Sequence, residues 1–319
     1  MPLPPPPGHL IDIGTHRLHL HCLGDGTPTV VFDAALGASS LSWSLVQPAV
    51  ARVTRTCTYD RAGFAWSDAG PLPRTGGRIA DELHALLNRG GIAGPFVLVG
   101  HSFGGLVMRL FTVRHRSDVA GLMLIEPAVP EEWRQPSDEQ RAMIQRGDRL
   151  CRYGEAAARY GVARMVSALA RSGALTPARV LVKMVSRGGL RREDEGVLAP
   201  IWKLSPETRR TLGDMWTQPK FFNALGSQIG HICASAEEVA REAPTDFGDL
   251  PLVVITAAGA QPWRMRADAE LAGRSTRGRH VLAPNSGHWV PLDAPEVVVD
   301  AIGKLVGEIR ARRSSALDR

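Results

Sequence analysis

The segment Phe96-Val97-Leu98-Val99-Gly100-His101-Ser102-Phe103-Gly104-Gly105 constrains the fold more than any other part of the chain. An uninterrupted apolar run of this length reads as a strand buried on both faces, and such a strand needs a layer of helices on each side. It ends at a serine between two glycines, and a helix-compatible stretch from Phe103 to about His115 follows directly. A strand that turns at once into a helix needs residues without bulk where the two meet, and Gly100 and Gly104 supply them.

The flanking sequence alternates in the same way. Residues 9–22 read as a hairpin around Gly14-Thr15, and residues 29–34 (TVVFDA) as a short strand entering the turn Gly37-Ala38-Ser39-Ser40. Residues 42–51 look helical, 55–60 form a strand signal, 79–88 show helical periodicity ended by Gly90-Gly91, and 120–125 is another buried strand. Strand–helix alternation of this kind predicts a mostly parallel sheet covered on both faces. The rhythm then stops. From about Pro130 to Thr245 no strand is legible, only helical stretches over 139–152, 155–170, 176–185, 206–216 and 236–241. It resumes with 250–256 and 280–283 and closes in a helix from Glu296 to about Arg310, for which Asp293 and Glu296 offer a capping box. The expected organisation is an α/β core over 1–129 and 249–319, interrupted by a helical cap or lid over 130–248.

Composition narrows the function classes. The net charge of +6 suggests an anionic partner at first sight, but the arginines are spread along the chain, in short clusters such as Arg191-Arg192 and Arg209-Arg210. No stretch interleaves basic and aromatic residues, so no nucleic-acid partner is expected. No apolar run approaches the roughly 20 residues that span a bilayer. The opening Pro-rich residues read as a frayed arm without the basic and apolar regions of a secretory signal, which points to the cytoplasm. Cys22, Cys57, Cys151 and Cys233 show no metal-type spacing. Cys22 and Cys57 fall in strands that could lie close, but reduced thiols are the expectation for a cytoplasmic chain.

Chemistry concentrates on Ser102. In the G-x-S-x-G setting the serine hydroxyl stands exposed on a strained turn at a helix N-terminus, where a developing oxyanion is favoured. A serine nucleophile needs a base, and His288, in Ser286-Gly287-His288-Trp289, follows a strand and therefore falls on the same rim of the sheet. His101 should point away from the hydroxyl and act structurally, while His9, His16, His19 and His21 read as solvated or half-buried hairpin positions. Glu126 ends the apolar strand LMLIEPA, where a carboxylate is costly without a partner. The imidazole of His288 would be that partner; the other reading is that Glu126 caps a helix or pairs with an arginine. The N–H groups of Phe103 and of Leu36, in the turn after 29–34, are the expected oxyanion donors. Trp263 and Trp289 are candidate walls of the substrate pocket, and Trp133, Trp202 and Trp216 belong either to a lid or to the insertion's own core.

With Asp33 to Ser40, Tyr59-Asp60-Arg61-Ala62-Gly63, Gly100 to Gly105 and Ser286-Gly287-His288 in this order, residues 9–310 resemble the α/β-hydrolase superfamily, in its esterase-like branch. The resemblance implies an eight-stranded, mostly parallel sheet with helices on both faces and a helical cap inserted after the sixth strand. It implies cofactor-free hydrolysis of a small carboxylic ester through an acyl-enzyme, with a small acyl substrate that has an apolar part. Two positions depart from the family pattern. Ala34-Ala35 stands where a His-Gly pair is common, and the loop 257–263 that usually carries the acid holds no carboxylate, which leaves the role to Glu126. Amide or lactone hydrolysis and perhydrolysis would use the same residues, and a non-catalytic small-molecule receptor would use the same cleft. Serine at 102 argues against dehalogenase or epoxide hydrolase chemistry, which needs an aspartate nucleophile.

Overall fold

The computed structural model describes residues 3–171, 199–243 and 246–317. The expected helix over 176–185 lies outside them.

The hairpin forms from β1 (His9–Asp12) and β2 (Arg17–Leu23), followed by β3 (Thr29–Asp33) and, beyond a 3-10 turn and the short α1 (Gln47–Val50), β4 (Thr56–Tyr59). Then come α2 (Gly76–Arg89), β5 (Phe96–His101), α3 (Phe103–Arg114) and β6 (Val119–Ile125). The sheet order is β1-β2-β4-β3-β5-β6-β7-β8, with β1–β2 and β2–β4 antiparallel and the remaining pairs parallel. Residues alternate faces along β5, and both faces are dry. Leu98 packs with Leu83 and Leu106 of α2 and α3, whereas Val97 and Val99 pack with the opposite cluster around Phe32, Ile302 and Leu305. That two-sided burial accounts for the continuous apolar run.

Between β6 and β7 the described residues form helices and no strand. It runs through α4 (Pro130–Arg134), α5 (Asp138–Arg159), α6 (Val162–Arg171), a 3-10 turn at Ala199–Lys203, α7 (Pro206–Met215), α8 (Pro219–Gly230) and α9 (Ile232–Glu242). Two expectations change here. The helix does not break at Gly154, between the segments expected over 139–152 and 155–170, but at Tyr160-Gly161; Gly154 stays because the Phe222 ring fills the space of its Cβ. The helix α8 was not expected, since its Gly226 and Gly230 break the apolar period. Gly226 instead allows close packing on Cys151 of α5.

The core resumes with β7 (Leu252–Ala257), α10 (Pro262–Gly273), β8 (Gly278–Ala283), α11 (Val290–Asp293) and α12 (Pro295–Leu317). Asp293 does not cap α12. Its carboxylate accepts from Gly287 N–H at 3.0 Å and from Lys203 Nζ at 2.7 Å, joining the loop before His288 to the helical insertion.

The expectation of reduced cysteines is overturned for one pair. Cys22 and Cys57 stand directly opposite each other in the β2–β4 ladder, with Cα atoms 4.1 Å apart, and are joined by a disulfide. Antiparallel register puts such a pair within bonding distance, and register is invisible in a single sequence. Cys151 and Cys233 are free. Two hairpin histidines also differ from expectation: His16 is buried, and His19 is wholly buried with its Nδ1 2.7 Å from Asp60 Oδ2.

Candidate active site

Ser102 occupies the tight turn between β5 and α3 at φ 54° and ψ −117°, a backbone conformation that side chains other than glycine rarely adopt. Its neighbours fix it there. Ser102 N–H donates to Ile125 O at 2.9 Å, and Ser102 O accepts from Ala128 N–H at 3.1 Å, so the turn is bonded to the end of β6 and the residues just beyond. A Cβ on Gly100 would meet Gly104 O at 2.5 Å, and one on Gly104 would meet Asp33 O at 2.6 Å. The missing bulk is therefore a requirement of this turn. The Ser102 hydroxyl has no hydrogen-bond partner among the described residues.

Glu126, immediately after β6, also has positive φ, 45°. Its Oε1 accepts from Ala257 N–H at 2.7 Å, and its Oε2 lies 3.2 Å from His288 Nδ1. Burial alone would push the Glu126 carboxyl up. The His288 and Ala257 hydrogen bonds and the Arg264 guanidinium outweigh that and hold it below the usual carboxylate value. An ionised Glu126 can only accept, so His288 Nδ1 carries the proton of that bond, and in the neutral imidazole Nε2 is then the nitrogen with the lone pair. The structure thus brings His288 and Glu126 together. It does not close a hydrogen bond between His288 and Ser102, a contact that is often long in unliganded sites.

What ties the histidine loop to the serine turn is His101. Its Nε2 lies 2.7 Å from His288 O, and since a carbonyl only accepts, that nitrogen is the donor. Burial, reinforced by His288, pushes the His101 pKa down to about 3, so the ring stays neutral. Its ring packs edge-on against Trp43 and Trp289.

The turn bearing Leu36 is organised by Arg61, a role the sequence did not disclose. Arg61 is buried and donates through Nε to Asp33 Oδ1 at 2.9 Å, through Nη1 to Ala35 O at 3.3 Å, and through Nη2 to Ala34 O. Its guanidinium lies 5.0 Å from the Phe103 ring centroid, and it also reaches Gln228 of α8 at 3.4 Å. Arg61 thus holds the carbonyls of Ala34 and Ala35, and neither Leu36 N–H nor Phe103 N–H donates a backbone hydrogen bond among the described residues. An N–H group without an intramolecular acceptor is free to receive an anionic oxygen.

A cavity of about 630 Å³ lies between this turn and the insertion, lined mainly by apolar side chains that include Leu36, Leu150, Trp216, Phe221, Leu225 and Trp289. It reaches the site through Leu36 and Trp289, while Ser102 and His288 are not among its lining residues. Trp263 is not there either. It begins α10, is 46% exposed and lines a different cleft. Of the insertion tryptophans, Trp216 lines the cavity, Trp202 is exposed, and Trp133 packs on the main core. Among the described residues no group of three or more His, Cys, Asp or Glu could hold a metal ion. No helix among them is long and apolar enough to cross a membrane.

A family model described as "Alpha/beta hydrolase family" matches residues 18–301. Among curated proteins the chain is similar to "Probable transporter efuK" of Hormonema carpetanum, 37% identical over 127 residues that form 37% of this chain and 18% of that protein. The chain spans less than half the length of the curated relatives it matches. Among solved structures it is similar to a malate-bound thermophilic esterase from Thermogutta terrifontis, with TM-score 0.61 and 20% identity over 92% of this chain and 94% of that one. It is also similar to the epoxide hydrolase CorEH, with TM-score 0.64 and 16% identity over 94% and 98% of the two chains. At these identities the structural likeness is one of fold.

Proposed function

The chain belongs to the alpha/beta hydrolase family, and from that premise we propose that it is a serine hydrolase cleaving a small carboxylic ester with an apolar part. The observation that carries this reading is the His288 Nδ1–Glu126 Oε2 contact of 3.2 Å on the same rim as a serine held at φ 54°. Ser102 Oγ attacks the acyl carbon, and His288 Nε2 takes its proton while Glu126 stabilises the imidazolium. The Phe103 and Leu36 N–H groups hold the oxyanion. His288 then protonates the departing alcohol, and water, activated by the same imidazole, releases the acid and restores Ser102. No cofactor or metal enters these steps.

Serine at 102 favours this chemistry over that of an epoxide hydrolase, which opens its substrate with an aspartate. The apolar cavity supports an apolar acyl or alcohol group, and in this reading residues 130–248 form the lid over it while 1–129 and 249–319 form the core. Amide, lactone or peracid chemistry would use the same groups. The cytoplasmic location expected from the sequence is weighed against the Cys22–Cys57 disulfide, a bond rare in reducing compartments. Thiol counting after rapid alkylation in the host cell decides between them.

The first test is intact mass after exposure to a fluorophosphonate, on wild type, Ser102→Ala and His288→Ala. One adduct on wild type and none on either variant supports the reading. No adduct on folded wild type favours a receptor that uses the cleft without turnover.

A further inference from the structure

A second cleft of about 590 Å³ lies between α3, α4 and α10 and shares no lining residue with the large cavity. At it stands Arg109 of α3, only 4% exposed. Its Nε is buried without a partner, and its guanidinium makes no hydrogen bond or ion pair among the described residues. The contrast with the other buried arginines is sharp. Arg61 is paired with Asp33, and Arg74 with Glu82. An unpaired guanidinium in the interior costs several kcal/mol, more than a folded chain keeps without a compensating partner.

The carboxylates nearby do not supply that partner. Asp268 is bonded to Arg264 and Thr256, and Glu132 accepts from Gln140. Glu131 and Glu270 line the cleft as exposed residues, and neither pairs with Arg109. Arg274, half-buried at the end of α10, lines the same cleft and is likewise without an ion pair among the described residues. Burial, together with Arg274 and against Glu131, brings the Arg109 pKa down to about 10, so the group is still charged at neutral pH. Pro127, Val129, Trp263 and Leu271 complete the walls with apolar surface.

We propose that this cleft binds a small monocarboxylate with an apolar body, its carboxylate held by Arg109 and Arg274. A planar guanidinium matches a carboxylate with two parallel hydrogen bonds. The exposed Glu131 and Glu270 disfavour a dianion such as phosphate, because repulsion grows with ligand charge. The apolar walls remove the ligand's body from water. The inference stands on the cleft alone and is independent of the reaction assigned to Ser102.

The test is calorimetric titration of the full chain with benzoate, and with inorganic phosphate for comparison, on wild type, Arg109→Met and Arg274→Gln. Wild type should bind benzoate more tightly than phosphate, and each variant should bind benzoate about tenfold more weakly or worse, the worth of one charge-assisted bond. Benzoate should raise the melting temperature of wild type and not that of Arg109→Met, while the ester turnover of both variants stays unchanged. Unliganded Arg109→Met should fold at least as stably as wild type, because methionine removes an uncompensated charge. If it fails to fold, Arg274→Gln, at a half-buried helix end, carries the binding test. Equal benzoate affinity in wild type and the variants, no heat of binding at millimolar benzoate, or tighter binding of phosphate would each overturn the proposal.

Discussion

The imidazole of His101 donates through Nε2 to the main-chain carbonyl of His288 across 2.7 Å, so the residue beside the candidate nucleophile holds the loop of the candidate base. The bond itself favours the charged ring, but burial outweighs it and keeps His101 neutral far below the ordinary histidine range, to about 3. The stability consequence has a definite sign. An unfolded chain takes up this proton near pH 6.5, the folded chain only near 3, so the contribution is complete above 6.5 and is lost as pH falls between these values. Urea midpoints of wild type and His101→Asn, measured from neutral to mildly acidic pH, should show a shallower acid loss in the variant. Identical slopes would remove His101 from the acid sensitivity.

Glu126 offers a separable test. Glutamine at 126 can still accept from Ala257 N–H, so the strand end should survive, but it cannot stabilise an imidazolium at His288. Turnover of a nitrophenyl ester by Glu126→Gln should fall by roughly ten-thousandfold, the order seen when a triad acid is replaced by its amide. Near-wild-type turnover in a folded variant would move the acid elsewhere.

Arg61 touches Asp33, Ala34 O, Ala35 O and the Phe103 ring, and so acts on the supports of both proposed oxyanion donors. Lysine keeps a positive charge beside buried Asp33 and loses the fork that binds two carbonyls at once. For Arg61→Lys we expect kcat to drop by about tenfold with KM little changed, because an oxyanion donor acts in the transition state. A raised KM at constant kcat would show instead that the turn only shapes the pocket.

The Cys22–Cys57 disulfide closes a separation of 35 residues, for which loop-closure entropy gives a stabilisation of about 4 kcal/mol. Denaturant unfolding of the Cys22→Ala/Cys57→Ala variant, or of wild type under reductant, should show a loss of this order. An unchanged midpoint would mean that the two thiols are not joined in the folded protein.

What the sequence determined by itself is local in origin. The apolar run 96–99, the bulkless Gly100 and Gly104, and the positions of Ser102, Glu126 and His288 after their strands all follow from steric and burial rules that act over a few residues. Because parallel strands align their carboxyl ends, placing each residue after a strand already placed it on one rim. Tertiary structure alone decided the contacts between distant segments. Which cysteines face each other depends on the β2–β4 register, and Arg61 meets Asp33 and Gln228 only when the turn after β4 and α8 converge on β3. Asp293 turned from a helix cap to a tether for Gly287 and Lys203, and Trp263 went to a different cleft from Trp289. The buried Arg109 without a carboxylate belongs to the same class. A side chain's partner, or the lack of one, is set by how whole layers pack, and one sequence records the layers without the distances between them.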